Sequence, residues 1–281
     1  MSRHLTLIIL AAGILALTCG SCGGIRQQQT PAIIRIKGSD TMVLLTRRWA
    51  ADYMRQNPGV SIYAEGGGSG TGIRALIEGN ADIAAASRTL TPQESKQLAR
   101  LHRSVGISYL VAKDALSVYV HPDNPVKDLT LKQLKEIFGG TVVNWSEVGG
   151  LDAPIMVLIR PPNSGTYLYF QEHILEEADY SAAATVAPTT AAVVAAISHQ
   201  SNAIGYGGIA YGDSIYHCRI NGIPPTESSV RYDLYPLTRY LYLYTVDKPR
   251  GAKQRFLNWV LKKEGQEIVR ETGYFPLWQE E

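Results

Sequence analysis

The stretch AIIRIKGSDTMVLLTRRWAADYMRQNPGVSIYA, residues 32–64, carries the signal that decides the fold. Its first part, AIIRI (32–36), is a β-type run. GSDT (38–41) then leads into a segment with Leu44, Leu45, Trp49 and Tyr53 at helical spacing. Asn57, Pro58 and Gly59 stop that helix, and VSIYA (60–64) is a second strand. A strand, a Gly/Ser/Thr turn, a helix and a further strand make one unit of an α/β architecture.

The same alternation continues outward. A Gly-rich turn after residue 64 opens a helix ending near Gly79, and ADIAAAS (81–87) reads as a third strand. Thr91, Pro92 and Glu94 supply an N-cap, a proline at the first helical position and a capping-box acid. ALSVYV (115–120) is a strand, and Thr130 with Gln133 opens a helix ended by Gly139 and Gly140. PIMVLI (154–159) runs into RPPNSGT and another helix, followed by strands AIGYGG (203–208) and YLYLYT (240–245). Two helical patterns near 252–262 and 264–272 finish the chain. The Ala-rich stretch 181–198 is broken by Pro188 and by several Ser and Thr, so it reads as a loop followed by a helix rather than a membrane span.

The N-terminus reads as a targeting segment. Arg3 and His4 precede an apolar run from Leu5 to Leu17, and these 13 residues are too few for a bilayer span, which takes about 20. LTCGSC follows, and its pattern resembles a bacterial lipoprotein signal in which a cysteine is acylated. Cys22 fits better than Cys19, because small Gly20 and Ser21 precede it. The expected organisation is a signal peptide over 1–21 and a tether over 22–32, with the protein exported and anchored in the cell envelope by its lipid. Cys218 is the one cysteine beyond that signal, which argues against a disulfide in the body of the protein. With 27 Lys and Arg against 25 Asp and Glu the net charge is +2, and no basic stripe suggests a nucleic-acid partner.

Three turns carry the candidate chemistry: GSDTM (38–42), GGGSGTG (66–72) and RPPNSGT (160–166). Each presents hydroxyls and backbone N–H groups where a helix begins, and a helix N-terminus carries unpaired donors and about half a positive charge. Three such termini converging would replace much of the water around an anion, with no metal or cofactor required. Arg160 lies four residues before Ser164 and is placed for a bidentate contact. Arg88 follows Ser87 at the end of an apolar strand. The glycine turn has no following lysine and no G-x-G-x-x-G spacing, which removes support for a nucleotide site.

These motifs resemble those of the phosphate-binding proteins of Pst-type ABC importers, a branch of the type II periplasmic-binding-protein fold. The resemblance runs from residue 33 to 278 and rests on GSDTM, GGGSGTGI, ADIAAASR and R-x-x-x-SGT, with framework segments such as NWSEVGG, AIGYGGIAYG and YPLTRYLYLY in the same order. It implies a two-lobed α/β protein with lobe 1 over 33–114 plus 243–281 and lobe 2 over 115–242. The strands would cross between lobes near Lys113–Leu116 and Arg239–Leu243, leaving the ligand cleft between them.

The resemblance also implies phosphate contacts from Ser39, Thr41, Ser69, Ser87, Arg88, Arg160, Ser164, Gly165 and Thr166. One branch of the family places an aspartate near Arg88 to accept the proton of hydrogen phosphate; here ASR stands instead, and Asp40 is the candidate for that acceptor role. The expected partners are inorganic phosphate and the permease subunits of an ABC importer, with the protein itself a monomer. A binder of sulfate or molybdate, or a phosphate sensor, would share this architecture. A phosphatase is disfavoured, since no histidine lies in any of the three turns.

Overall fold

The computed structural model describes residues 31–212 and 214–278. The proposed signal, tether and acylated cysteine, apart from Pro31 and Ala32, therefore lie outside the described residues. Strand β1 (Ala32–Gly38) leads into helix α1 (Val43–Gln56), β2 (Val60–Glu65), α2 (Ser69–Ile77), β3 (Ile83–Ala86) and α3 (Pro92–His102). Next come β4 (Ile107–Val120), β5 (Asp128–Leu129), α4 (Leu131–Gly139), β6 (Met156–Ile159) and α5 (Gly165–His173). Then β7 (Thr185–Val186), α6 (Thr190–His199), β8 (Ala203–Gly208), β9 (Tyr216–His217) and β10 (Arg219–Ile220) follow. The chain ends with α7 (Glu227–Arg231), β11 (Thr238–Thr245), α8 (Gly251–Val260) and α9 (Lys263–Glu271).

The local rules read from the sequence operate as stated. Thr91 accepts a hydrogen bond from the Glu94 amide at 3.2 Å while the Glu94 carboxylate accepts from the Thr91 amide at 2.8 Å. Thr130 and Gln133 form the same reciprocal box at the start of α4, and Gly140 closes that helix at a φ of +84°. The Ala-rich segment does form a loop and then a helix, α6, whose opening Thr189 accepts from the Ala192 amide at 3.1 Å. Among the described residues no helix is long and apolar enough to cross a membrane.

The strand order is β2-β1-β3-β11-β4-β8-β6-β7. Strands β2, β1 and β3 run parallel, as do β8 and β6, and between these two sets lie β11 and β4, antiparallel to each other. One core cluster contains Ile34, Trp49, Ile83, Ala112, Leu241 and Phe256. Another contains Ala115, Leu116, Phe138, Phe170, Tyr206 and Leu237. The packing therefore changes core between Ala112 and Ala115 on one strand and between Leu237 and Leu241 on its neighbour. This is a two-lobed α/β protein with two strand crossings.

Strand β4 differs from its sequence reading. It begins at Ile107, eight residues before the expected start at Ala115, and passes unbroken through Lys113 and Asp114. A charged pair inside an apolar run reads as a boundary, but Asp114 is fully buried because Arg239 stands opposite it in the register. The third strand is shorter than expected, so Ser87 lies just past its end.

Close approach of backbones sets the position of the glycine-rich turn. A Cβ on Gly72 would lie 2.2 Å from the Lys37 carbonyl oxygen and 2.4 Å from the Gly38 Cα. Helix α2 therefore rests directly on the end of β1, and neither backbone can yield cheaply. Gly72→Ala is expected to lower stability by about 1–3 kcal/mol, the usual cost of overpacking, as measured by urea denaturation.

Candidate functional site

The three turns meet at the strand crossings. Ser39 and Thr41 follow β1, Ser69 opens α2, Ser87 follows β3, and Ser164, Gly165 and Thr166 begin α5. All six hydroxyl residues are buried, at 0–3% exposure. The Thr41 and Thr166 hydroxyls lie 3.0 Å apart although 125 positions separate them. The Ser69 hydroxyl accepts from the Ser87 amide at 3.2 Å. Gly165 is wedged over both serines: a Cβ there would sit 2.4 Å from Ser69 Oγ and 2.8 Å from Ser87 Oγ.

Arg160 is a buried cation of this cluster, at 1% exposure. One Nη donates to the Thr190 hydroxyl at 2.7 Å, and the other to Asp40 Oδ2 at 2.7 Å and to the Pro188 carbonyl at 3.2 Å. Its Nε is buried with no protein acceptor. Burial pulls the Arg160 pKa below its usual value, opposed by the adjacent Asp40 charge. An unmet charged donor in such a place is costly and marks a position for an acceptor that the protein does not supply.

Asp40 does not cap α1, whose first residue is preceded by Met42 with no side-chain cap. Its carboxylate reaches across instead, with Oδ1 accepting from the Gly67 amide at 2.9 Å and Oδ2 from Arg160. The aspartate thus joins the first turn to both of the others. Tyr211 donates to the Asp40 carbonyl at 2.6 Å. Burial pushes the Tyr211 phenol pKa up.

Ser164 caps its own helix by accepting from the Thr166 amide at 3.2 Å, so its oxygen has a structural duty as well. Arg88 lies beside the cluster but is oriented by Glu94, to which both of its Nη groups donate at 2.8 Å. Its Nε, like that of Arg160, is buried without a partner.

Several contributors were not singled out from the sequence. Asn163 donates through Nδ2 to the Gly67 carbonyl and the Thr71 hydroxyl, both at 3.0 Å, while its own carbonyl accepts from the Gly70 amide at 3.0 Å. Arg239 donates to the Thr166 hydroxyl at 3.0 Å and to Asp114 at 2.8 Å. The available signal was a charge inside an otherwise apolar strand pattern, VAKDALSVYV for Asp114 and LTRYLYLY for Arg239. Cys218 is fully buried, and burial raises its thiol pKa to about 12, as fits a packing residue. Among the described residues no His/Cys/Asp/Glu group is arranged to hold a metal ion.

A junction of two α/β lobes where buried hydroxyls, helix starts and guanidinium groups converge is the arrangement of a binding protein for a small anion. A family model described as a PBP superfamily domain matches residues 26–264. The phosphate-binding protein PstS of Pseudomonas aeruginosa is 34% identical over 263 residues, covering 85% of this chain and 81% of its own. PstS of Bacillus subtilis is 29% identical over 285 residues, covering 97% and 93%. A phosphate ABC transporter substrate-binding protein from Clostridium perfringens, solved with bound phosphate, superposes with a TM-score of 0.81 at 29% identity, over 88% of this chain and 100% of its own. An ABC-type phosphate transport receptor from Vibrio cholerae gives 0.71 at 27% identity, over 86% and 99%. The chain belongs to the PBP superfamily, in the PstS family of phosphate-binding proteins.

The Arg88–Glu94 pair has a pH signature. Burial works to raise the Glu94 pKa, but hydrogen bonds from Arg88 and the Thr91 amide outweigh it and hold the carboxyl below its ordinary value of 4.5. A depressed carboxylate stabilises the fold above its unfolded pKa and loses that contribution as pH falls through the folded one. Glu94→Gln is expected to lower the melting temperature at pH 7, with the gap from wild type closing below about pH 4 in thermal melts.

Proposed function

We propose that this protein captures inorganic phosphate between its lobes and delivers it to an ABC-type importer on the extracytoplasmic side of a membrane. It is a binding protein, not an enzyme. The observation that carries the reading is the buried Arg160 Nε, unpartnered in a cluster of six buried hydroxyl residues at the lobe junction. An oxyanion satisfies such donors, and helix starts lower the cost of its charge. The names of the relatives support phosphate as that anion.

In this reading Ser39, Thr41, Ser69, Ser87, Ser164, Gly165 and Thr166 contact the ligand, with Arg160 as the central cation and Arg88 contributing through Nε. The first lobe comprises 33–114 and 243–281, and the second 115–242. The change of core across Lys113–Asp114 supports the first boundary, while the change across Thr238–Tyr240 favours a second boundary a few residues before 243, since Leu241 packs with the first core. Phosphate adds contacts to both lobes at once and so shifts the population toward the closed form. The protein works as a monomer tethered by a lipid on Cys22. Cys22→Ser is expected to move it from the membrane fraction to the soluble fraction on cell lysis; retention in the membrane would argue against that anchor.

Asp40 is the acceptor for the P–O–H group of hydrogen phosphate. Two of its lone-pair sites are taken by Gly67 and Arg160, and a carboxylate has about four. Fully ionised sulfate offers no proton and leaves that acceptor unpaired and repelled. Calorimetric titration is expected to show one phosphate per chain, with sulfate and molybdate weaker. Asp40→Asn is expected to narrow the phosphate-to-sulfate affinity ratio at least about tenfold, a change of about 1.4 kcal/mol. Sulfate or molybdate binding more tightly than phosphate to the wild-type protein would replace this reading with that of another oxyanion binder.

A further inference from the structure

Arg239 sits at the crossing of β4 and β11, opposite Asp114 in the register. Both are buried, at 2% and 0% exposure. Asp114 Oδ2 accepts from Arg239 Nε at 2.8 Å and faces its Nη2 at 2.7 Å, while Oδ1 accepts from the Ile209 amide at 3.0 Å. The Tyr169 ring lies under the guanidinium, 5.8 Å from its centre. Carboxylate, strand and ring together fix the orientation of this cation.

Its remaining donors point at two hydroxyls, one on each side of the cleft. Nη1 donates to Thr166 Oγ1 at 3.0 Å and Nη2 to Thr41 Oγ1 at 3.4 Å, and the two oxygens are themselves 3.0 Å apart. A guanidinium can only donate, so both threonine oxygens act as acceptors toward it. Each hydroxyl has one proton and two lone pairs. When one threonine donates to the other, the receiving oxygen has both lone pairs filled, by its neighbour and by Arg239. Its own proton then has no place within the trio and is left to donate elsewhere.

We propose that Arg239, held by Asp114, is a positioning residue that sets the proton direction of the Thr41–Thr166 hydroxyl pair, making the pair a donor toward the bound anion only when the two lobes have met. It acts through the threonines and does not itself touch the ligand. The arrangement couples closure to affinity, because Thr41 and Thr166 come together only across the cleft. This inference rests on the phosphate-binding reading of the same site.

The test is a thermodynamic cycle read by phosphate titration. Arg239→Met alone would strand the buried Asp114 charge, so the paired change Asp114→Asn with Arg239→Met removes both charges together. Arg239→Lys is the second variant, since it keeps a cation beside Asp114 but cannot fork between two hydroxyls. Each folded variant is expected to weaken phosphate binding at least about tenfold, a loss readable as affinity. Thr41→Val with Thr166→Val is expected to do the same.

Adding the Arg239 changes to the double-valine protein is expected to cost less than about threefold more, since coupled residues are not additive. Full multiplication of the two losses, or wild-type affinity in a folded Arg239 variant, would overturn the proposal. A wild-type protein that binds no phosphate would instead overturn the underlying functional reading, so the two failures are separable.

Discussion

A guanidinium buried between two lobes must be neutralised and its donors met, and the geometry around Arg160 follows from that requirement. Asp40 supplies the charge from 120 positions away, Thr190 and Pro188 take further donors, and Nε is left over. Because Asp40 also holds the Gly67 amide, the same ion pair fixes the glycine-rich turn against the first helix start. Breaking one side of such a buried pair typically costs about 3–5 kcal/mol, since it leaves the other charge uncompensated. An anion bound there, as proposed, would find its partners already in place, with little reorganisation left to oppose binding.

The lobes approach closely because glycines allow it. A side chain at Gly165 would collide with Ser69 and Ser87, and one at Gly68 would lie 2.7 Å from the Asn163 carbonyl oxygen. Backbone and hydroxyl therefore meet without an intervening layer; Asn163 adds a contact between two of the turns, and Tyr211, beyond β8, ties itself to the first. Beneath them the Asp114–Arg239 pair lies where the packing passes from one core to the other. In the proposed closing motion that pair would lie at the turning point, so hinge and site would share one set of buried charges.

Much of this was legible in the sequence. The capping boxes at Thr91 and Thr130 and the strand–turn–helix units around residues 38, 66 and 160 are local, set by rules that need no partner. Arg160 and the Ser164-Gly165-Thr166 run were readable for the same reason. The course of β4 was not, because a lysine and an aspartate inside a strand make sense only when Arg239 stands across from them. Asn163 and Tyr211 were hidden likewise: their partners lie 92 to 171 positions away. Arg88 was visible as a candidate, but its bidentate hold on Glu94 depends on how β3 enters α3.

If the converging turns form one oxyanion site organised on Arg160, phosphate must seat there. A crystal structure of the protein grown with phosphate tests it most directly. A single phosphate is expected at the strand crossings, with one oxygen on Arg160 Nε at about 2.7–2.9 Å, the range of charge-assisted hydrogen bonds, and others on the hydroxyls of the three turns. A phosphate bound elsewhere, or one at the crossings that leaves Arg160 Nε without an acceptor, would contradict it.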